Sequence, residues 1–174
     1  MTMILVETKT LGTAAASIEF TSIPQDATDL VLLWSGRSSI DTIEWYLRFN
    51  SDSGSNYTIR NLRGSGSTVL SSSGTYTGLL FNGLNASSQT ANTFGNVQVY
   101  IPNYTGSTQK SVSGDEVEEN NATQAFQNLV AGIWTGTSAI TTLTITNAGG
   151  NFVAGSMASL YKITKGSDGT TVVS

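Results

Sequence analysis

Ile43-Glu44-Trp45-Tyr46-Leu47-Arg48-Phe49 places Ile43, Trp45, Leu47 and Phe49 on one side of an extended chain and Glu44, Tyr46 and Arg48 on the other. A two-residue period is the signature of a strand with one buried face. The polar run Asn50-Ser51-Asp52-Ser53-Gly54-Ser55-Asn56 follows, and then Tyr57-Thr58-Ile59-Arg60-Asn61-Leu62-Arg63. Together they read as a hairpin closed by a long polar loop.

The same alternation recurs at Val97, Val99 and Ile101 and again at Leu143 and Ile145. Leu30-Val31-Leu32-Leu33-Trp34 has no wet face. It predicts either a central strand covered on both sides or an inner strand flanked by a neighbouring subunit. Further strands are expected over residues 3 to 10, 15 to 20, 28 to 38, 95 to 102, 108 to 114, 125 to 135, 139 to 147 and 156 to 164, about ten in all. Phe126, Leu129 and Val130 would also fit a helical stripe, but the segment runs on into β-prone Ile133-Trp134-Thr135 and is read as strand.

Many short strands separated by Gly, Ser and Asn clusters predict an all-β, two-sheet β-sandwich, jelly-roll-like. Residues 1 to 164 are expected to form one sandwich domain, with residues 1 to 10 as an edge strand or an arm. Residues 165 to 174 read as a flexible C-terminal tail. The stretch from Gly64 to Asn92, rich in Ser, Gly and Thr, reads as a long exposed excursion with a short strand at Leu79-Leu80-Phe81.

The 174 residues contain no cysteine and no histidine. This removes disulfides, thiolate and Ser-His nucleophiles, and the usual zinc sites. Eight basic and 12 acidic residues give a net charge of -4 with no basic stripe, so neither nucleic acid nor a membrane is an expected partner. Ser, Thr, Gly and Asn make up roughly 45% of the chain. Such residues suit strands and turns and make a surface polar without charge. No basic leader or apolar signal segment precedes the first strand-like residues, so assembly in the cytoplasm is expected.

Two constellations resemble sites. Asn50, Asp52 and Asn56 around Gly54 have the alternating oxygens of a calcium loop without its closing glutamate; turn chemistry explains them better. Asp115, Glu116, Glu118 and Glu119 could supply a glycosidase pair, but a solvated acidic bend is the simpler account. Trp34, Trp45 and Trp134 could stack on sugars, yet each lies within a strand pattern and is expected in the core. The sequons at Asn56, Asn85, Asn103 and Asn121 are expected by chance in such a composition. No catalytic, cofactor-binding or metal-binding residue is assigned, and no cofactor is expected.

Ser17-Ile18-Glu19-Phe20-Thr21-Ser22-Ile23-Pro24, Thr28-Asp29-Leu30-Val31-Leu32, Gly36-Arg37-Ser38 and Leu47 to Tyr57 form one set of motifs. Asn92-Thr93-Phe94-Gly95, Tyr100-Ile101-Pro102-Asn103-Tyr104, Lys110-Ser111, Glu119-Asn120-Asn121-Ala122-Thr123 and Ser159-Leu160-Tyr161-Lys162-Ile163 continue it. In this combination, from about residue 11 to residue 164, the chain resembles virion structural proteins of phages of marine and freshwater bacteria, cyanophages included.

The resemblance implies a bacteriophage virion component, a β-sandwich that decorates the capsid as a cement protein or forms a tail-fibre module. It carries over no catalytic residue. The chain lacks the long trimeric shaft of a fibre, which favours a free-standing decoration protein, and it has Ser51 where the pattern has glycine. The expected partners are the major capsid protein, or tail proteins, and further copies of the chain as a homotrimer. A receptor- or carbohydrate-binding tip would instead require exposed aromatics between Gly64 and Asn92, where only Tyr76 and Phe81 are available. One chain end, Met1 to Thr10 or Lys165 to Ser174, is expected to mediate attachment.

Overall fold

The alternating segments assemble into two antiparallel sheets. In the computed structural model, which describes residues 2 to 120 and 124 to 164, every regular element is a strand. The strands are β1 (Thr2–Thr10), β2 (Ser17–Phe20), β3 (Asp29–Gly36), β4 (Trp45–Phe49), β5 (Tyr57–Gly64) and β6 (Val69–Tyr76). They continue with β7 (Leu79–Phe81), β8 (Gly95–Ile101), β9 (Lys110–Asn120), β10 (Gln124–Trp134), β11 (Leu143–Asn147) and β12 (Met157–Thr164). An eight-stranded sheet runs β1-β12-β3-β8-β9-β10-β5-β6, and a four-stranded sheet runs β2-β11-β4-β7. The chain passes from one sheet to the other at every step except β5 to β6, β8 to β9 and β9 to β10.

The inward faces of both sheets share one core. Ile18, Phe20, Leu143, Ile145, Trp45, Leu47, Phe49, Leu79 and Phe81 come from the smaller sheet. Leu30, Leu32, Trp34, Val97, Val99, Ile101 and Leu160 face them from the larger. Trp45 stacks on Phe81 at 4.5 Å between ring centroids and meets Trp34 edge-on at 5.9 Å. All three tryptophans are buried. Gly114 and Gly132 are required where the sheets touch: a Cβ would lie 2.5 Å from Phe81 at the first and 2.6 Å from Leu79 at the second. Their bare backbone lets β7 press onto β9 and β10.

The predicted hairpin between residues 43 and 63 does not form. β4 belongs to the smaller sheet and β5 to the larger, so residues 50 to 56 form a crossover between layers. The apolar faces of both strands bury themselves in the same core from opposite sides, which a flat hairpin cannot achieve. Asn50 and Ser51 turn the chain with φ of 51° and 57°. Position 51 is therefore left-handed, a conformation that favours glycine, and is held here by serine. The Asn50 side chain fixes the turn: its Oδ1 accepts from Thr141 N at 2.8 Å and Thr142 N at 3.2 Å, and its Nδ2 donates to Ala139 O at 2.8 Å.

Leu30 to Trp34 is a central strand, with β12 and β8 on either side. On its outer face Val31 is flanked by Tyr161 and Tyr100 rather than by a second layer. Residues 2 to 10 form an edge strand of the chain's own sheet, paired with β12 and bulged between Leu5 and Glu7.

The Gly64 to Asn92 stretch is not one exposed excursion. It contains β6, which composition did not reveal, and Gly78 to Ala86 is buried apart from a half-buried Asn82. β9 runs well past the expected residue 114, and β11 begins later than expected. The expected tail, 165 to 174, lies outside the described residues.

Candidate functional site

The acidic segment is not a solvated bend. It is the second half of β9, a regular strand that pairs with β10 on one side and β8 on the other. Strand alternation sends Lys110, Val112, Gly114, Glu116 and Glu118 inward and Ser111, Ser113, Asp115 and Val117 outward.

Glu116 is fully buried. Its Oε1 accepts from Trp45 Nε1 and Gly83 N, and its Oε2 from Asn82 N, each at 3.0 Å. Burial pushes its carboxyl up to about 7, against these three donors, which favour the charged form. Glu118, also buried, pairs with the Arg63 guanidinium, which lies 4.2 Å from the centre of the Phe126 ring. Burial pushes the Glu118 carboxyl up to about 8, with Arg63 opposing the shift and Glu116 adding to it.

Glu119 accepts from Thr90 N at 2.8 Å, Thr93 Oγ1 at 3.0 Å and Thr90 Oγ1 at 3.1 Å. Exposed Asp115 accepts from Gln127 Nε2 at 3.2 Å. Glu116 and Glu119 thus fasten the connection between β7 and β8 onto the sheet, and Glu116 and Glu118 are sealed away from any sugar-sized ligand.

The same connection is folded around Arg37, a residue the sequence reading did not single out. Its guanidinium donates to the carbonyls of Thr90 at 2.7 Å, Gln89 at 3.0 Å, Thr93 at 3.1 Å and Ser87 at 3.2 Å. Lys110 is buried as well and donates to the carbonyls of Gly106 and Thr108; burial lowers its pKa. The sequence signal for both was a lone cation at the end of a strand in a chain where charge is scarce.

The residues of the calcium-like loop turn their oxygens to protein donors. Asp52 accepts from Trp134 Nε1 at 2.7 Å, Gly54 N at 2.9 Å and Asn56 Nδ2 at 3.0 Å. Burial raises its carboxyl pKa, but these donors outweigh burial and hold it below the ordinary value. Asn50 Oδ1 is engaged by the backbone of the β10–β11 connection. Of the sequon asparagines, Asn56 and Asn103 are exposed, Asn85 is buried and Asn121 lies outside the described residues. Tyr76 packs half-buried against the core, and Phe81 is inside it.

The accessible feature is the outer face of β9, β10, β5 and β6. Two adjoining grooves run along it, each with a cavity volume of about 670 Å³, and they share Arg60, Ser73 and Ala131. One is lined further by Leu62, Ser71 and Leu129, the other by Thr58, Thr75 and Ile133. Leu62, Leu129, Ile133 and Val117 are exposed on this face. Small hydroxyls and aliphatic side chains with a single guanidinium make a surface suited to a protein neighbour. No aromatic ring lines either groove, so the stacking that a sugar ring would use is not provided. No family model, no curated protein and no solved structure matches this chain.

Proposed function

We propose that this chain is a non-enzymatic structural protein of a tailed-bacteriophage virion, docking on the major capsid protein as a decoration, or cement, protein. The observation that carries the reading is the outer face of β9-β10-β5-β6, where Leu62, Leu129, Ile133 and Val117 are exposed among Ser and Thr on a continuous sheet. The interior supports it as well. The carboxylates and cations inside the sandwich hold connections in place instead of lining a cleft, as a particle component that works without a cofactor would require. The resemblance to marine-phage virion proteins points the same way.

A jelly-roll arrangement is part of the proposal. The supporting feature is the alternation between sheets, with β3-β8 and β5-β6 in one layer, β2-β11-β4-β7 in the other, and the β8–β9–β10 meander standing where a simple roll has one strand. Assembly would take place in the host cytoplasm.

The test is cryo-electron microscopy of particles labelled with an antibody to the chain, together with Leu129→Asp and Leu62→Asp variants. Label over the shell, lost in the variants at unchanged melting temperature, is the expected result. Label on the tail would favour the appendage reading, with tail proteins and a receptor as partners. Particles without label would sink both.

A further inference from the structure

The two edges of the eight-stranded sheet are β1 and β6, and they differ in how they meet solvent. β1 carries Glu7 and Lys9 and is bulged between Leu5 and Glu7. Charges and bulges are the devices by which proteins keep an open edge from pairing with another chain. β6, Val69-Leu70-Ser71-Ser72-Ser73-Gly74-Thr75-Tyr76, has none of them. It contains no charge and no proline, and its ladder with β5 runs from Tyr57↔Tyr76 to Gly64↔Val69 without a register shift. It is also bare on both faces: only Gly74 and Tyr76 are partly covered, while Val69 and Leu70 are 70% and 59% exposed.

We infer that the free edge of β6 is a pairing site for β6 of a second copy of this chain, the two strands running antiparallel across a two-fold axis so that the two large sheets become continuous. The sequence of the strand specifies this occupant. Leu70, Ser72, Gly74 and Tyr76 lie on the inner face, in register with Arg63, Asn61, Ile59 and Tyr57 of β5, and Val69, Ser71, Ser73 and Thr75 lie on the outer face. Continuous sheets must match inner with inner and outer with outer.

Centring the axis on Ser73 sets Leu70 against Tyr76 of the second copy, Ser71 against Thr75 and Ser72 against Gly74. An aliphatic–aromatic pair then occurs twice on one face, and hydroxyls meet hydroxyls on the other; both are favourable cross-strand pairs. Centring on Ser72 would leave Tyr76 opposite Thr68, beyond the end of the strand, and so without a direct cross-strand partner. An isologous contact repeats every such pair. β6 offers no charged group that would select a foreign strand, whereas its own sequence completes it. A strand pair alone buries little area, so the association is concentration-dependent.

The experiment uses the full chain, which has no cysteine of its own. Sedimentation equilibrium over a rising concentration series should move the mass from 18.3 kDa towards twice that value. Under mild oxidation, Ser73→Cys should give a disulfide-linked dimer at least about tenfold faster than Ser71→Cys. Self-opposed residues of an antiparallel pair have Cα atoms about 4.5 to 5.5 Å apart, within disulfide reach, whereas position 71 opposes position 75 and its sulfurs are too distant. Leu70→Lys, at an exposed position, should abolish the association while leaving the melting temperature unchanged. A strict monomer, a trimer, equal cross-linking of the two cysteine variants, or association that survives Leu70→Lys would each overturn the inference.

Discussion

The eight-stranded sheet is two sheets in character. In the half formed by β12, β3 and β8, the inner face is aliphatic and aromatic from Ala158 and Leu160 to Leu32, Trp34 and Val99, with Lys162, paired to Asp26, at its end. In the half formed by β9, β10, β5 and β6 the polarity is partly reversed. Lys110, Glu116, Glu118, Asn61 and Asn128 point inward, while Val117, Leu129, Ile133 and Leu62 point out. The first half is stabilised by apolar burial. The second adds Tyr57, Ile59, Val112, Val130 and Trp134 to the same core, but its buried charges supply position rather than stability, because a buried charge must find partners before it contributes anything. Glu116 finds such partners in Asn82 and Gly83 and thereby fastens the β7–β8 connection.

One substitution made in both halves should separate them most widely. Leu32→Ala, in the core, should cost about 2 to 5 kcal/mol, whereas Leu129→Ala on the outer face should cost below about 1 kcal/mol. Chemical denaturation of the two variants measures the difference, and equal losses would erase the distinction between the halves.

The buried carboxylates come next. Removing the side-chain oxygens with Glu116→Leu strands the N–H groups of Trp45, Asn82 and Gly83 and should cost about 1 to 3 kcal/mol. Their titration also has a defined sign. Unfolded, a glutamate titrates near the ordinary 4.5; folded, Glu116 titrates at about 7 and Glu118 at about 8. Between those limits the folded chain holds protons that the unfolded chain has released. This contribution to stability is complete below 4.5 and is lost as the pH rises through about 7 and then about 8. Melting temperature should therefore fall from mildly acidic to mildly alkaline pH, with a shallower slope in Glu116→Gln. A rise over the same range would show that the donors around Glu116 outweigh its burial.

The smallest effect concerns Asn128. Both of its amide atoms are buried without a protein partner, as are Asn61 Oδ1 and Glu118 Oε2. Replacing an unpaired buried amide with a hydrocarbon of similar size should stabilise, so Asn128→Leu should gain about 1 kcal/mol. A loss of stability instead would mean that the amide is engaged by buried water.

The same division explains what the sequence disclosed. β3, β4, β8 and β12 were legible because each carries an apolar period or run that burial alone dictates. Glu116 and Glu118 were misread because a run of carboxylates is ordinarily solvated, and nothing local announces that Trp45, Asn82 and Gly83 will converge on one of them from distant segments. β6 was invisible for the converse reason: of its eight residues only Tyr76 reaches the core, so they have no hydrophobic period. The crossover after Phe49 was read as a hairpin because adjacent alternating strands carry no local mark of which layer each will join. The grooves could not be anticipated, since Arg60, Ser73 and Ala131 meet only after β5, β6 and β10 have paired.

The pairing of β1 with β12 has a kinetic meaning. Thr8 faces Ser159 across that ladder, their hydroxyls 2.8 Å apart, so the first of the described strands in chain order waits for the last. β3 waits likewise, since its neighbours are β8 and β12. Sheets closed by such distant segments form slowly, because the entropy of joining the ends is lost before any contact compensates it. Until β8 emerges, β3 offers Leu30 to Trp34 with both edges open, and until β12 emerges one edge stays open, an invitation to intermolecular pairing. Slow translation or dilute refolding should therefore favour soluble protein differently: dilution lowers encounters between unfinished chains, whereas slowing synthesis prolongs the exposure of β3.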